Sequence, residues 1–237
     1  MRAACRLAAQ VRDQVSAACA PGVRTIELGD LAEKLIRDAG AVSAFYGYRG
    51  FPGQICCSLN DEVVHGIPSE RLIQMGDIVS LDFGVLLDGF YGDTAKTVMV
   101  GVTDQSVISL VRTAERALLA GIAEAAPGAK LSNVSHRIQS VSEKAGFSIV
   151  RDFVGHGIGR ELHEEPQVPN FGKPNRGPVL REGMTIAIEP MLNMGALAVE
   201  VQDDEWTVVT VDGAPAAHVE HTVAITADGP EILTVAE

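Results

Sequence analysis

Asp82, Asp93, His156, Glu189 and Glu220 each stand in a Gly-rich or strand-like stretch of the chain, and together they offer the oxygen and imidazole donors of a two-metal hydrolytic centre. The hairpin shows how two of them meet. Asp88-Gly89, between Val85-Leu86-Leu87 and Phe90-Tyr91, is a strong two-residue turn signal. Closing the hairpin there pairs Leu87 with Phe90 and sets Gly84 opposite Asp93. Asp82 then shares a face with Gly84 and becomes a diagonal neighbour of Asp93, with Gly84 leaving room for a shared cation. The flanking run Ile78-Val79-Ser80-Leu81 and Phe83 is largely apolar, so Asp82 enters a low dielectric and needs a counter-charge.

The remaining three are weaker when taken singly. His156 lies in Gly155-His156-Gly157-Ile158-Gly159-Arg160, where the glycines let the backbone approach another group closely. Glu189 ends the apolar run Met184 to Ile188 immediately before Pro190, where a strand cannot continue its ladder. Glu220 lies in a strand-like segment, on one face with His218, Thr222 and Ala224, while Val219, His221, Val223 and Ile225 take the other. A lone His is more often structural, and each glutamate alone would read as a surface or structural residue. Other chemistries are poorly served. Arg160 occupies the last glycine position of a GxGxxG loop, and His163-Glu164-Glu165-Pro166-Gln167 lacks the second His of HExxH and contains a helix-breaking Pro. There is no GxSxG elbow, and Cys56 has no local partner that would make it a nucleophile.

The elements that must carry these residues follow from hydrophobic period and punctuation. Helices are expected over 2–19 (Leu7, Val11 and Val15 on one stripe, stopped by Pro21-Gly22), 28–39, 105–125 after Thr103-Asp104, and 131–145 before Gly146. Strands are expected over 54–59, 77–87, 96–100, 147–154, 184–189, 196–201, 206–211 and 217–225, with 166–183, rich in Pro, Gly and Asn, as a surface loop. Two helices then strands, twice over, suggest two similar α+β halves that pack their sheets together under helices. No sequence repeat accompanies that order.

Length and composition bound the rest. With 237 residues and 46% hydrophobic residues, one compact domain spanning 1–237 is expected. A net charge of −12, without Lys/Arg clusters, argues against nucleic-acid binding. Cys5, Cys19, Cys56 and Cys57 form no CxxC pair, and Cys56 and Cys57 would point to opposite faces of a strand, so a reducing cytoplasm is expected. Arg6, Arg12 and Asp13 interrupt any signal-peptide core, and no later run approaches a membrane span.

Five separated motifs in order carry a specific likeness: His65-Gly66-Ile67-Pro68, Asp82 with Asp93-Thr94, Gly155-His156-Gly157-Ile158-Gly159 with His163-Glu164, Glu189-Pro190, and Glu220-His221-Thr222. From about residue 2 to 228 the chain resembles the type I methionine aminopeptidases of the pita-bread metallopeptidase fold. The resemblance implies an α+β fold of two pseudo-symmetric halves, a central antiparallel sheet and helices on the outer face. It implies two divalent ions (Co, Mn, Fe or Zn), with Asp93 and Glu220 bridging, Asp82 on one ion and His156 and Glu189 on the other. Four carboxylates then balance two divalent cations, whereas without metal the cluster would repel itself.

The resemblance further implies that His65 and His163 contact substrate, with His163 stabilising the oxyanion and Glu189 shuttling the proton. Tyr48, Phe51, Cys56, Leu162 and Trp206 fall where the family lines its methionine pocket, although Leu162 and Phe51 depart from the residues frequent there. The implied activity is removal of N-terminal methionine from nascent chains and peptides, with a small second residue preferred. A monomer is expected, and a nascent substrate would bring it to the ribosome, for which the acidic charge offers no basic surface. The chain is expected to start at the catalytic domain, without the N-terminal extension some members carry or the large preceding domain usual in Xaa-Pro aminopeptidases and prolidases. A metal-free pita-bread binding module is the reading from another class, but such modules typically lose ligands and all five are present.

Overall fold

The computed structural model describes residues 1–236. Helices α1 (Arg2–Ala18) and α2 (Thr25–Asp38) open the chain. Helix α2 starts three residues earlier than its apolar period suggested, because the Glu27 carboxylate accepts the Arg24 N–H at 2.8 Å and closes the first turn. Strands β1 (Val42–Ser43), β2 (Cys56–Leu59), β3 (Glu62–Val64), β4 (Ile78–Leu87) and β5 (Phe90–Met99) follow. The second half begins with α3 (Gln105–Ala123), capped by Asp104 accepting the Ser106 N–H, and α4 (Leu131–Lys144). Ten short strands complete it: β6 (Ser148–Ile149), β7 (Gly155–Gly157), β8 (Glu164–Val168), β9 (Thr185–Ile188), β10 (Met191–Asn193), β11 (Val199–Val201), β12 (Val208–Thr210), β13 (Ala216–His218), β14 (His221–Thr226) and β15 (Gly229–Ile232).

Each half buries a sheet face under its own helices. In the first, Val79, Leu81, Phe83 and Val85 alternate along β4 and pack with Val11 and Val15 of α1 and Leu28 and Ile36 of α2. In the second, Ile186, Ile188, Val223 and Ile225 pack with Leu110, Val111 and Leu118 of α3 and Val134 and Ile138 of α4. The order of elements therefore translates into two helix-covered halves. Among the described residues no helix is long and apolar enough to cross a membrane.

Strand β4 is bordered by β1, β2 and β5, and a five-stranded antiparallel sheet runs in the order β15-β14-β9-β7-β8. The hairpin register is the expected one, with Leu87 opposite Phe90 and Gly84 opposite Asp93. Asp88 and Gly89 both have positive φ, as a type I′ turn requires. One detail differs. The space above Gly84 is taken by the Phe45 ring, 2.4 Å from where a Cβ would stand, and not by room for a cation.

Several segments depart from expectation, for identifiable reasons. Strand β5 joins the expected hairpin arm from Phe90 and the expected strand from 96 into one run, because its outer edge is satisfied by the other half. Thr222 Oγ1 accepts the Asp93 N–H and donates to the Asp93 carbonyl, while Ala95 and Glu220 exchange backbone bonds. The expected strand 217–225 is broken at Val219–Glu220 because the Glu220 backbone turns to serve Ala95. β9 likewise stops at Ile188 and resumes as β10 in a different sheet, with Val219 N–H bonded to the Pro190 carbonyl across the corner. The stretch 166–183 is only partly surface: β8 reaches Val168, and Val168, Asn170 and Leu180 are buried.

Because the Asp93 N–H and carbonyl both depend on one hydroxyl, Thr222→Val, which keeps the volume, leaves both unbonded. We expect a loss of about 1–3 kcal/mol in unfolding free energy. The comparison is Thr226→Val at the hairpin end, which loses a bond to the Gly229 carbonyl and one from the Asp228 N–H where water can replace them, and should cost less. Urea denaturation of the chelator-treated protein measures both; equal losses would contradict this account of the seam.

Candidate metal centre and peptide pocket

The five metal candidates come from five elements and converge where the halves meet. Asp82 lies on β4, Asp93 on β5 and His156 on β7, while Glu189 and Glu220 occupy the two corners where a strand leaves one sheet for another. The glycines beside His156 permit close approach: a Cβ on Gly155 would stand 2.3 Å from the Ala187 carbonyl, and one on Gly157 2.2 Å from that of Glu165. Strand β7 thereby fits between β8 and β9 and carries His156 inward.

Donor atoms of Asp93, His156 and Glu220 lie within 4.8 Å of one another. His156 Nε2 is 3.5 Å from Glu189 Oε1 and 3.9 Å from Asp93 Oδ2. His156 Nδ1 donates to the Gly157 carbonyl at 2.8 Å, which leaves the Nε2 lone pair facing the carboxylates.

Burial acts on every one of these groups. It pushes Asp82 up to about 7. It drives Asp93, Glu189 and Glu220 well above the carboxylate range, with the neighbouring carboxylates adding to the shift. It holds His156 below its ordinary value, so the imidazole is neutral. Oδ1 of Asp82, Oδ1 of Asp93 and Oε1 of Glu220 are buried without any hydrogen-bond partner. Orphaned acceptors on crowded carboxylates, beside a neutral imidazole with its lone pair turned inward, are the donor set a divalent cation needs, and the residues fit such an ion.

The same cavity, of about 170 Å³, continues into an apolar pocket. Tyr48, Phe51, Cys56, Leu162 and Trp206 line it, as do His65 and His163, so all twelve residues singled out from sequence border one space. Phe51 meets Trp206 edge to face at 5.1 Å. Cys56 and Cys57 do point to opposite faces, Cys56 to the pocket and Cys57 to the first core. Burial and the Asp82 charge hold the Cys56 thiol protonated, which removes it as a nucleophile.

His65 follows β3 with φ of 61° and is held at about 4 by burial and by His163. His163, just before β8, is also held at about 4 by burial, with His156 and Arg49 contributing. The Tyr48 hydroxyl lies 2.9 Å from His163 Nδ1, and the His163 and His156 rings are 4.2 Å apart.

Four further residues escaped sequence reasoning. Phe45 and Arg49 line the cavity, Phe153 packs edge to face on His65, and His218 lies against Glu189. Only His218 gave a signal, as the His two residues before Glu220 on the same face.

Comparison with known proteins agrees with this geometry. The profile of metallopeptidase family M24 matches residues 1–227. The chain belongs to that family. Methionine aminopeptidase 1 of Bacillus subtilis is 49% identical over 234 residues, covering 99% of this chain and 94% of the relative. A methionine aminopeptidase from Rickettsia prowazekii superimposes with a TM-score of 0.97 at 42% identity, covering 99% of this M24 chain and 95% of that one. An Xaa-Pro dipeptidase from Bacillus anthracis shares the fold at a TM-score of 0.79 and 24% identity, with 98% of this chain and 59% of that chain covered. The pita-bread fold, with antiparallel sheets and four α-helices, is thus the architecture.

The pKa directions have a consequence for stability. Asp82 titrates at about 7 in the folded chain against 3.8 when unperturbed, so between those values the folded state holds more protons than the unfolded one. Without metal its contribution to stability falls as pH rises through that window. A divalent ion displaces those protons, so the rise in Tm produced by saturating Mn²⁺ should be larger at pH 8 than at pH 5.5. Thermal melts of chelator-treated and Mn²⁺-loaded protein check this, and an equal gain at both pH values would contradict it.

Proposed function

We propose that this chain is a methionine aminopeptidase, a metallo-aminopeptidase that hydrolyses the first peptide bond of chains beginning with Met and prefers a small second residue. The observation that carries the reading is the continuity of one cavity. A buried carboxylate–imidazole cluster opens directly into an apolar pocket, with two neutral histidines bordering the same space. That space suits one unbranched apolar side chain held beside the hydrolytic groups. Asp82, Asp93, His156, Glu189 and Glu220 would together hold the cofactor, two divalent ions. The donor set accepts Mn, Fe, Co or Zn.

When bound, the ions supply Lewis-acid polarisation of the carbonyl and acidification of water toward neutral pH. The chain's own residues do the rest. Phe51, Trp206, Cys56, Leu162 and Tyr48 hold the methionine side chain and exclude water from it. Glu189, whose Oε1 lies 3.5 Å from His156 Nε2 inside the cluster, is placed to accept a proton from the attacking water and to pass it to the leaving nitrogen. A Tyr48 O–H donated to Nδ1 leaves His163 with an Nε2–H, a neutral donor for the carbonyl oxygen as charge develops there. His65, held neutral on the opposite wall, hydrogen-bonds the substrate amide.

The whole chain acts as one catalytic unit and as a monomer, on nascent chains and peptides in the cytoplasm. Four free thiols support a reducing compartment, and the acidic surface disfavours a nucleic-acid partner.

Hydrolysis of Met-Ala-Ser, but not of Met-Leu-Ser or Ala-Pro-Ala, with Mn²⁺ or Co²⁺ and its abolition by chelator is the expected pattern. Cleavage of Ala-Pro-Ala would favour a proline-directed enzyme, and no turnover with any metal a binding module. His163→Ala should lower kcat by about 10²–10³ while metal content stays unchanged. Equal loss of activity and metal would remove His163 from the oxyanion role.

A further inference from the structure

Glu189 turns its two carboxylate oxygens to different histidines. Oε1 lies 3.5 Å from His156 Nε2, whereas Oε2 lies 3.8 Å from Nε2 of His218. His218 is only 2% exposed, and its Nε2 has no hydrogen-bond partner among the described residues. A ring nitrogen buried without a partner is unfavourable, and the Glu189 oxygen is an acceptor within a small side-chain adjustment of bonding range.

The backbone of His218 is fixed from the other half of the molecule. Its N–H lies 3.3 Å from Ser80 Oγ and 3.1 Å from Thr97 Oγ1, and its carbonyl accepts from Thr97 Oγ1 at 2.7 Å. Its strand partner is Met191, two residues beyond Glu189. The ring therefore projects from a clamped strand end toward one particular oxygen, and nothing in the catalytic scheme above employs it.

We propose that His218 is a positioning residue for Glu189. Its Nε2–H donates to Oε2, which fixes the plane of the carboxylate and presents Oε1 together with His156 Nε2 to one divalent ion. This rests on the reading of Glu189 as a metal ligand. Outer partners of this kind set ligand orientation, and their loss commonly weakens metal binding about 10–100-fold.

The test is calorimetric titration of chelator-treated protein with Mn²⁺, for the wild type, His218→Leu and His218→Gln. The Leu variant should bind the ion about 10–100-fold more weakly, while Gln, which keeps a side-chain N–H donor, should stay within about threefold of wild type. At saturating Mn²⁺ the Leu variant should lose kcat on Met-Ala-Ser with KM changed by less than about twofold. Thermal melts of the chelated proteins report folding, and His218→Met replaces Leu should the latter unfold. Unchanged affinity in the Leu or Met variant, or an equal loss in Gln, would overturn the role of His218 alone. A wild-type chain that binds no Mn²⁺ would overturn the metal reading, and this inference with it.

Discussion

Four carboxylates crowded together at the meeting of two sheets, Asp93 and Glu220 buried and Asp82 and Glu189 half-buried, are the constraint on which the rest of this structure depends. Two like charges 4 Å apart repel by about 4 kcal/mol at an effective dielectric of 20, and the desolvation of each adds to that. Asp82, Asp93, Glu189 and Glu220 would separate, or recruit water, if the backbone allowed it. It does not, because the edge of the Asp93 strand is stitched to the Glu220 segment by Thr222, by Thr94 and by the paired backbone groups of Ala95 and Glu220. Arg12 reaches in from the first helix to hold Thr94, so that even the helical layer is tied to the seam. Held together, the carboxylates keep their protons until a cation displaces them, and the stability of the seam is what makes that arrangement possible.

This accounts for what could be read in the sequence. The Asp82–Asp93 relation was legible because a hairpin is local: its turn residues fix the register, and a two-residue side-chain period then fixes the face. The two pairs of helices were legible because apolar period and flanking residues are local signals as well. The breaks at Glu189–Pro190 and Val219–Glu220 were less so. Pro190 marked the first, but nothing near Glu220 announces that its backbone will pair with Ala95 across more than a hundred residues of sequence. The continuity of the Asp93 strand into the segment from 96 was hidden for the same reason, since Asp93 and Ala95 are held by long-range partners. The likeness of five motifs to a known family located the pocket residues, but Phe45, Arg49 and Phe153 belong to no such motif and emerged only from packing.

Gly84 illustrates how a correct local inference can assign the wrong occupant. A missing Cβ opposite Asp93 does open space on the metal-facing side of the hairpin. Phe45 fills it, and Phe45 also lines the substrate cavity. The residue that seemed to make room for a cation instead lets an aromatic ring approach the strand closely, so the apolar pocket and the metal cluster share a wall beside Asp82 and Asp93.

Desolvation also explains why acids and imidazoles can share this cavity with distinct tasks. Burial favours the uncharged form of every group, which moves the carboxylates up and the histidines down. Cationic ligands reverse only the first of these shifts, because they stabilise carboxylate anions and do nothing to favour an imidazolium. A cation held by the carboxylates would leave His65 and His163 neutral, with one N–H each. A protonated histidine beside a divalent ion would be repelled by it. Desolvation therefore keeps these imidazoles neutral before any metal arrives, and leaves the carboxylates holding protons that a cation can displace.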